Sequence, residues 1–398
     1  MKFGMPIPYA AGFKQAVEGL RALEDAGLDA VTVPEAYTFD AVSHLGYIAA
    51  RTSRVELASS ILNIYSRTPA LLAMTAAGLD HVSDGRFSLG IGSSGPQVIE
   101  GFHGVPFHAP LGRTREIVAI CRQVWSREKV ELHGRHYDVP LTPERGGSGL
   151  GKSLKLINAP VRPAIPMTLA ALGPKNIALA AELFEAWQPI FYHPESADEV
   201  FGDALAEGRA KRDPLLPDLR VIADAKFFIG DDDHELESAR AKVRAALALY
   251  IGGMGARGKN FYHHLVTRLG FGAAADEIQD LYLGGSKDAA AAAVPAALVD
   301  GISLVGRPDH IEKRVAAYVE AGVDQLNLSP VSTDNDERAR QFAHLKNRGR
   351  RHRAGMTHRS PGREPSRSSP EPWASASARV RIRAVPASGR PARRCSPG

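Results

Sequence analysis

"GIGSSG", residues 90–95, fits the pattern G-x-G-x-x-G, with Gly90, Gly92 and Gly95 in the three glycine positions. How it is read decides the fold. A dinucleotide-binding fingerprint needs its third glycine to open a helix directly and an acidic residue about 20 positions further on at a strand end. Gly95 is instead followed by "PQVIEGFHGVPFHAPLGR" (96–113), in which Gly101, Gly104, Pro106, Pro110 and Gly112 break any long helix. The apolar run that leads in, "RFSLGIG" (86–92), is also fourth in the strand order, not first. The stretch is therefore expected to be a loop at a strand exit. Small residues there let a flat ring or a phosphate approach the backbone closely.

Working outward, short apolar runs alternate with amphipathic stretches. The strands expected are "KFGMPIP" (2–8), "AVTV" (30–33), "VELASSI" (55–61), residues 86–92, "PMTLAAL" (166–172), "AWQPIF" (186–191), "LRVIADAKFFIG" (219–230) and "VDQLNLSP" (323–330). Between the first two, "FKQAVEGLRALEDAG" (13–27) places Phe13, Val17, Leu20 and Leu23 on one helical face, with Gly27 as the stop. After the third, Thr68 is an N-cap with Pro69 at the first helical position. "DAGLDAVTV" (25–33) and "EAGVDQLNL" (320–328) share helix end, glycine stop, aspartate turn and buried strand. Eight such units in about 345 residues favour an α/β fold of the (β/α)8 TIM-barrel type over a doubly wound sheet. Insertions are expected at about 128–166, with a hairpin in "KVELHGRHYDVPL" (129–141), and at about 232–300, largely helical. Both are placed to close the mouth of the barrel.

The chain has 398 residues and a formal charge of +5, but residues 346–398 hold Lys346 and thirteen arginines against Glu364 and Glu371. That tail carries +12 and the body, 1–345, carries −7. The tail is rich in Arg, Pro and Ser and has few apolar anchors, so it is expected to be disordered. It reads as a basic arm for nucleic acid or an anionic membrane, as a solubilising extension, or as a shifted reading frame. The abrupt change of composition within a good helix favours the last. No basic patch in the body supports nucleic-acid binding, and no apolar run suggests a membrane span. Two cysteines, Cys121 and Cys395, and an N-terminus without a signal pattern point to the cytoplasm.

The residues expected at the mouth lie where strands end. "SSILNIYSRTP" (59–69) joins strand three to its helix and brings Ser60, Asn63, Tyr65 and Arg67 together. "ALGPKNIA" (171–178) puts Pro174 in a helix's first turn beside Gly173, and free N–H groups with Lys175 make an anion site. The histidines His133, His136, His263 and His264 lack a third ligand or a His-Glu motif, so no metal is expected.

Four segments together resemble the bacterial luciferase-like superfamily, and within it the coenzyme F420-dependent oxidoreductases, including those like methylenetetrahydromethanopterin reductase. They are "LASSILNIYSRTPALLAMTAAGLDHVSDGRFSLGIGSSGPQVIEGFHGVPF" (57–107), "LAALGPKNIALAAE" (169–182), "YIGGMGARGKNFYHHL" (250–265) and "IQDLYLGG" (278–285). The resemblance runs from residue 1 to about 345 and implies the same barrel. It implies a cis peptide at Ser60–Ile61 against the deazaflavin ring, with Asn63 near the ring. It places Ser93, Ser94 and Gly95 along the cofactor, and Gly173, Pro174 and Lys175 at the phosphate of its side chain. It further implies a homodimer, or a higher homo-oligomer, through helices near strands two to four.

Departures narrow the chemistry. The glucose-6-phosphate dehydrogenase branch has a catalytic His after strand two and a Glu in the strand-four loop; here Ala36 and Gly95 fall at those places. Glu35 is then the leading acid–base candidate, followed by His44 and Tyr65. The expected function is hydride transfer between coenzyme F420 and a small organic substrate. The alternatives are an FMN-dependent monooxygenase of the same superfamily and a non-catalytic flavin- or deazaflavin-binding protein.

Overall fold

In the computed structural model, residues 1–8 and 12–357 are described, with side chains to residue 346. Eight parallel strands close into a ring: β1 (Lys2–Pro6), β2 (Ala30–Val33), β3 (Glu56–Ser59), β4 (Phe87–Gly92), β5 (Met167–Ala170), β6 (Ala186–Gln188), β7 (Arg220–Ile229) and β8 (Gln325–Pro330). The ring is closed where Arg220 and Val221 pair with Ala186 and Trp187, and where β8 pairs with both β7 and β1. This is the barrel expected from the alternating pattern, and a closed ring has no switch point for a dinucleotide.

The echo between 25–33 and 320–328 has a shared mechanism. Gly27 (φ 100°) and Gly322 (φ 80°) both end their helices in the left-handed region. Asp29 donates its N–H to Phe3 O (2.8 Å) and accepts from Phe3 N with its carboxylate (2.7 Å). Asp324 does the same to Val221, at 2.9 and 2.8 Å. Each aspartate thus fixes where the neighbouring strand starts, which sets the register of the barrel at two places.

The first helical segment differs from expectation. It is two helices, Phe13–Glu18 and Leu20–Ala26, meeting at Gly19. A Cβ at Gly19 would lie 2.5 Å from Asn335 of the last helix, so that glycine is the point where the chain ends touch. The Thr68 cap is as expected: its side chain accepts from Leu71 N–H and Pro69 opens the helix Pro69–Val82. Residues 128–166 carry the antiparallel pair Leu132–His133 and Asp138–Val139. The stretch after β7 is helical from Asp233 to Ile302, but it ends in a strand the pattern does not reveal, Ser303–Gly306. That strand pairs with the upper part of β7, Lys226–Ile229, on the edge that the short β6 leaves bare. The last helix, Asn335–Thr357, runs past the expected boundary at 345. Residues 358–398, most of the arginine-rich tail, lie outside the described residues. No helix among the described residues is long and apolar enough to cross a membrane.

Candidate active site

The exits of β2, β3 and β4 form one braced unit. The Ser60–Ile61 peptide is cis, and the chain then resumes pairing with β4 at Leu62 and Asn63. Ser59 Oγ donates to Gly90 O (2.8 Å) and accepts from Gly90 N (2.9 Å), so one hydroxyl replaces a rung of the ladder. Ser60 N donates to Val33 O (2.9 Å), and Glu35 N donates to Ile61 O (3.3 Å).

The glycines of "GIGSSG" divide by task. A Cβ at Gly90 would stand 1.9 Å from Ser59 O, and one at Gly92 would stand 3.2 Å from the Ile61 side chain. These two make room for the β3 bulge rather than for a ligand. Only Gly95 has open space where its Cβ would be. It does open a helix, Pro96–Gly101, but one of six residues. Ser94 before it adopts φ 56°, and its neighbour Ser93 donates to Ser94 O (3.3 Å).

The three expected acid–base residues are each engaged elsewhere. Glu35 takes both arms of the Arg67 guanidinium, Nη1–Oε1 at 2.7 Å and Nη2–Oε2 at 2.9 Å, and also accepts from Ala41 N (3.1 Å). Its side chain is only 9% exposed. Arg67 also bonds Asp40 (2.8 Å), which caps the helix Ala41–Ala49 through Ser43 N–H. Burial opposes the Asp40 carboxylate, but Ser43 and Arg67 outweigh it and hold its pKa below the usual range. Glu35 therefore braces the exits of β2 and β3 through Arg67. His44 stacks on Phe13, centroids 3.9 Å apart. Tyr65 donates to His108 O (3.0 Å), and burial pushes its phenol up to about 12, so it is a poor proton donor near neutrality. Asn63, 2% exposed, spends its oxygen on Tyr65 N and Ser66 N (3.0 and 2.8 Å) and turns its amide nitrogen to His103 (3.4 Å). It shapes the loop.

On the opposite side, Gly173 begins the helix Pro174–Leu183 with no side-chain cap, and Lys175 is exposed beside it. Arg268, from the helical insertion, places its guanidinium over the Phe201 ring (5.8 Å) and against Leu172 O (3.5 Å), next to that terminus. Its position was not legible in sequence, because it lies about 95 residues from the loop it approaches and in a segment without motif.

The inner face of the barrel holds the largest surprise. Gln188, 7% exposed, donates from Nε2 to Ser60 Oγ (3.0 Å) and to both Asp224 oxygens (3.1 and 3.0 Å). Asp224 pairs in register with Asn327 of β8. Alternation puts Ala223, Ala225 and Phe227 outward into the core and Asp224 and Lys226 inward. Burial among the strands, only partly offset by Gln188, pushes Asp224 up to about 6. Lys226 stands above it with its side chain exposed at the mouth. Its surroundings lower its pKa by desolvation, against the pull of Asp224. The only sequence signal for this pair is polar residues at alternate positions of a strand that should be buried on both faces.

A cis bulge at the exit of β3, bare glycine backbone at the exit of β4 and an uncapped helix after β5 thus share one rim of the barrel. The family model for luciferase-like monooxygenases matches residues 1–325. The chain belongs to the luciferase-like monooxygenase family. One family relative, a putative coenzyme F420-dependent oxidoreductase of Mycobacterium tuberculosis, is 43% identical over 87% of this chain and 99% of its own. Another, the 5,10-methylenetetrahydromethanopterin reductase of Archaeoglobus fulgidus, is 26% identical over 84% of this chain and 95% of its own. Among solved structures, the coenzyme F420-dependent tetrahydromethanopterin reductase from Methanopyrus kandleri superposes with a TM-score of 0.72 at 21% identity, over 86% of this chain and 97% of that one. That likeness shows the same barrel fold.

Proposed function

We propose that this protein is a coenzyme F420-dependent oxidoreductase that transfers a hydride between the deazaflavin and a small organic substrate. The relative at 43% identity along nearly its whole length is the observation that carries the reading. The residues present fit such a group. Ile61, after the cis peptide, offers an apolar shelf only partly buried, Gly95 leaves backbone bare, and Gly173, Pro174 and Lys175 offer an open helix N-terminus with a lysine for a phosphate. Arg268 supplies a second cation beside it. When bound, the coenzyme supplies the carbon that carries the hydride. The protein's part is to seat the ring on the β3 bulge, hold the phosphate at the β5 exit and shut out water.

Titration of coenzyme fluorescence tests this. F420 is expected to bind more tightly than FMN. Tight FMN binding without affinity for F420 would replace this reading with the oxygen-consuming monooxygenase. Binding of either without turnover of any substrate would leave a carrier protein. Lys175→Ala is expected to weaken F420 binding about tenfold, the worth of one charged phosphate contact. The riboflavin-level deazaflavin, which has no phosphate, should bind the variant and the parent alike.

We also infer a homodimer through the helix Pro69–Val82, where Leu71, Met74 and Val82 are about half exposed on one side. Light scattering after gel filtration should show two chains per particle, and Leu71→Lys with Met74→Glu should return one. A parent that already runs as a monomer removes this inference.

A further inference from the structure

We propose that Asp224 is the group that gives the substrate its proton, and that the substrate is reduced at a polarised C=O or C=N bond. This rests on the hydride-transfer reading above. Adding a hydride to the carbon of such a bond breaks its π bond and leaves the electron pair on oxygen or nitrogen. The reduced coenzyme is the reductant and is oxidised in the same event. The carboxyl proton of Asp224 then closes the new O–H or N–H bond, and the carboxylate that remains keeps its two contacts from Gln188 Nε2. In the reverse direction the carboxylate takes the proton back.

The geometry points to Asp224 by position and by exclusion. It is only partly buried and faces the barrel interior. It is joined through Gln188 to Ser60 of the cis peptide, so its carboxyl is two hydrogen bonds from the shelf where the ring is placed. Glu35, Tyr65 and His44 are held by Arg67, His108 O and Phe13. His103 is turned onto Asn63. The groups that face Asp224 are Gln188 from β6, Asn327 from β8, and Lys226 two residues on along β7. Of these only Lys226 is charged. A carboxyl raised to about 6 is a better acid–base match to neutral conditions than an ordinary aspartate. Lys226 at the mouth favours the carboxylate left after transfer and offers a cation to the developing negative charge.

The test uses the full chain with reduced F420 and four probes: cyclohexanone, benzaldehyde, Δ1-pyrroline and 2-cyclohexenone. Wild type should reduce at least one carbonyl or the imine, with a rate that falls as pH rises through about 6. Asp224→Asn should slow that reduction about 100-fold or more, lose the pH step, and bind F420 with unchanged affinity by fluorescence. Lys226→Met should keep the step but move it to higher pH, because the neighbouring cation no longer favours the carboxylate. A titrating carboxyl near 6 should appear in the ¹³C spectrum of aspartate-labelled protein and be absent from Asp224→Asn.

A melting curve adds a readout. The folded-state pKa is raised, so the folded state holds a proton that the unfolded chain gives up above pH 4. Between pH 4 and 6 wild type should therefore lose stability relative to Asp224→Asn. F420 binding with the rate and pH step kept in Asp224→Asn would overturn the proposal and leave the hydride-transfer reading standing. So would loss of F420 affinity in that variant, reduction of 2-cyclohexenone at C=C alone, or failure of all four probes. Failure of wild type to bind F420 would instead overturn the reading itself.

Discussion

Gly90→Ala is expected to cost about 4 kcal/mol or more of folding free energy, the largest single-atom effect at the site. The added carbon would sit 1.9 Å from the backbone oxygen of Ser59, well inside any real contact. It has no flexible neighbour to push aside, because the obstacle is main chain. β3 and β4 would have to separate, and Ser59 Oγ would lose both bonds to Gly90, in a strand buried at every residue but Ser88. The other two glycines set the scale. Gly92→Ala would press the Ile61 side chain at 3.2 Å, which a rotamer change relieves, so about 1–2 kcal/mol is expected. Gly95→Ala meets nothing within 4 Å and φ is −113°, so stability should change by less than about 0.5 kcal/mol. Urea unfolding of the three variants checks the order. Losses below about 0.5 kcal/mol at all three positions would mean that Gly90 and Gly92 do not make room for the β3 bulge.

That ordering also shows what the sequence could and could not tell. Periodicity and turn chemistry are local, so the eight strands, the Thr68 cap and the stops at Gly27 and Gly322 could be read directly. The strand Ser303–Gly306 could not, because it exists only where β6 is too short to cover the edge of β7, a fact about two distant segments. The site followed the same rule. The cis peptide falls at Ser60–Ile61, where the family resemblance implies it, and Pro174 opens a helix after Gly173, as its own chemistry predicts. The bracing of Glu35 is not visible locally, because nothing near it in sequence shows that Arg67, 32 residues on, closes over both its oxygens. The setting of Asp224 is hidden for the opposite reason. "IADAK" looks like an ordinary buried strand, and its carboxylate gains significance only from Gln188, 36 residues back.

Arg67→Met is expected to destabilise the fold by about 3 kcal/mol. It leaves the Glu35 carboxylate, 9% exposed, without the guanidinium that neutralises it, and breaking one partner of a buried pair costs far more than the pair contributes. Asp40 at 47% exposure can rehydrate and adds little. Glu35→Gln keeps size and shape and removes the charge, so about 1–2 kcal/mol is expected, and Arg67→Met with Glu35→Gln should lose less than the sum, because each single change strands the other side chain. Coenzyme binding should weaken in step with stability, since the backbone N–H of Glu35 holds Ile61 O and the pair holds that turn. The same variants decide what Glu35 does. As a brace, Glu35→Gln keeps most turnover per bound coenzyme. As a general acid or base it would lose 100-fold or more in turnover with stability and affinity intact. The second outcome would return the proton-transfer role to β2 and take it away from Asp224. The bidentate geometry, which occupies both oxygens that an acid–base group must offer to its substrate, argues for the first.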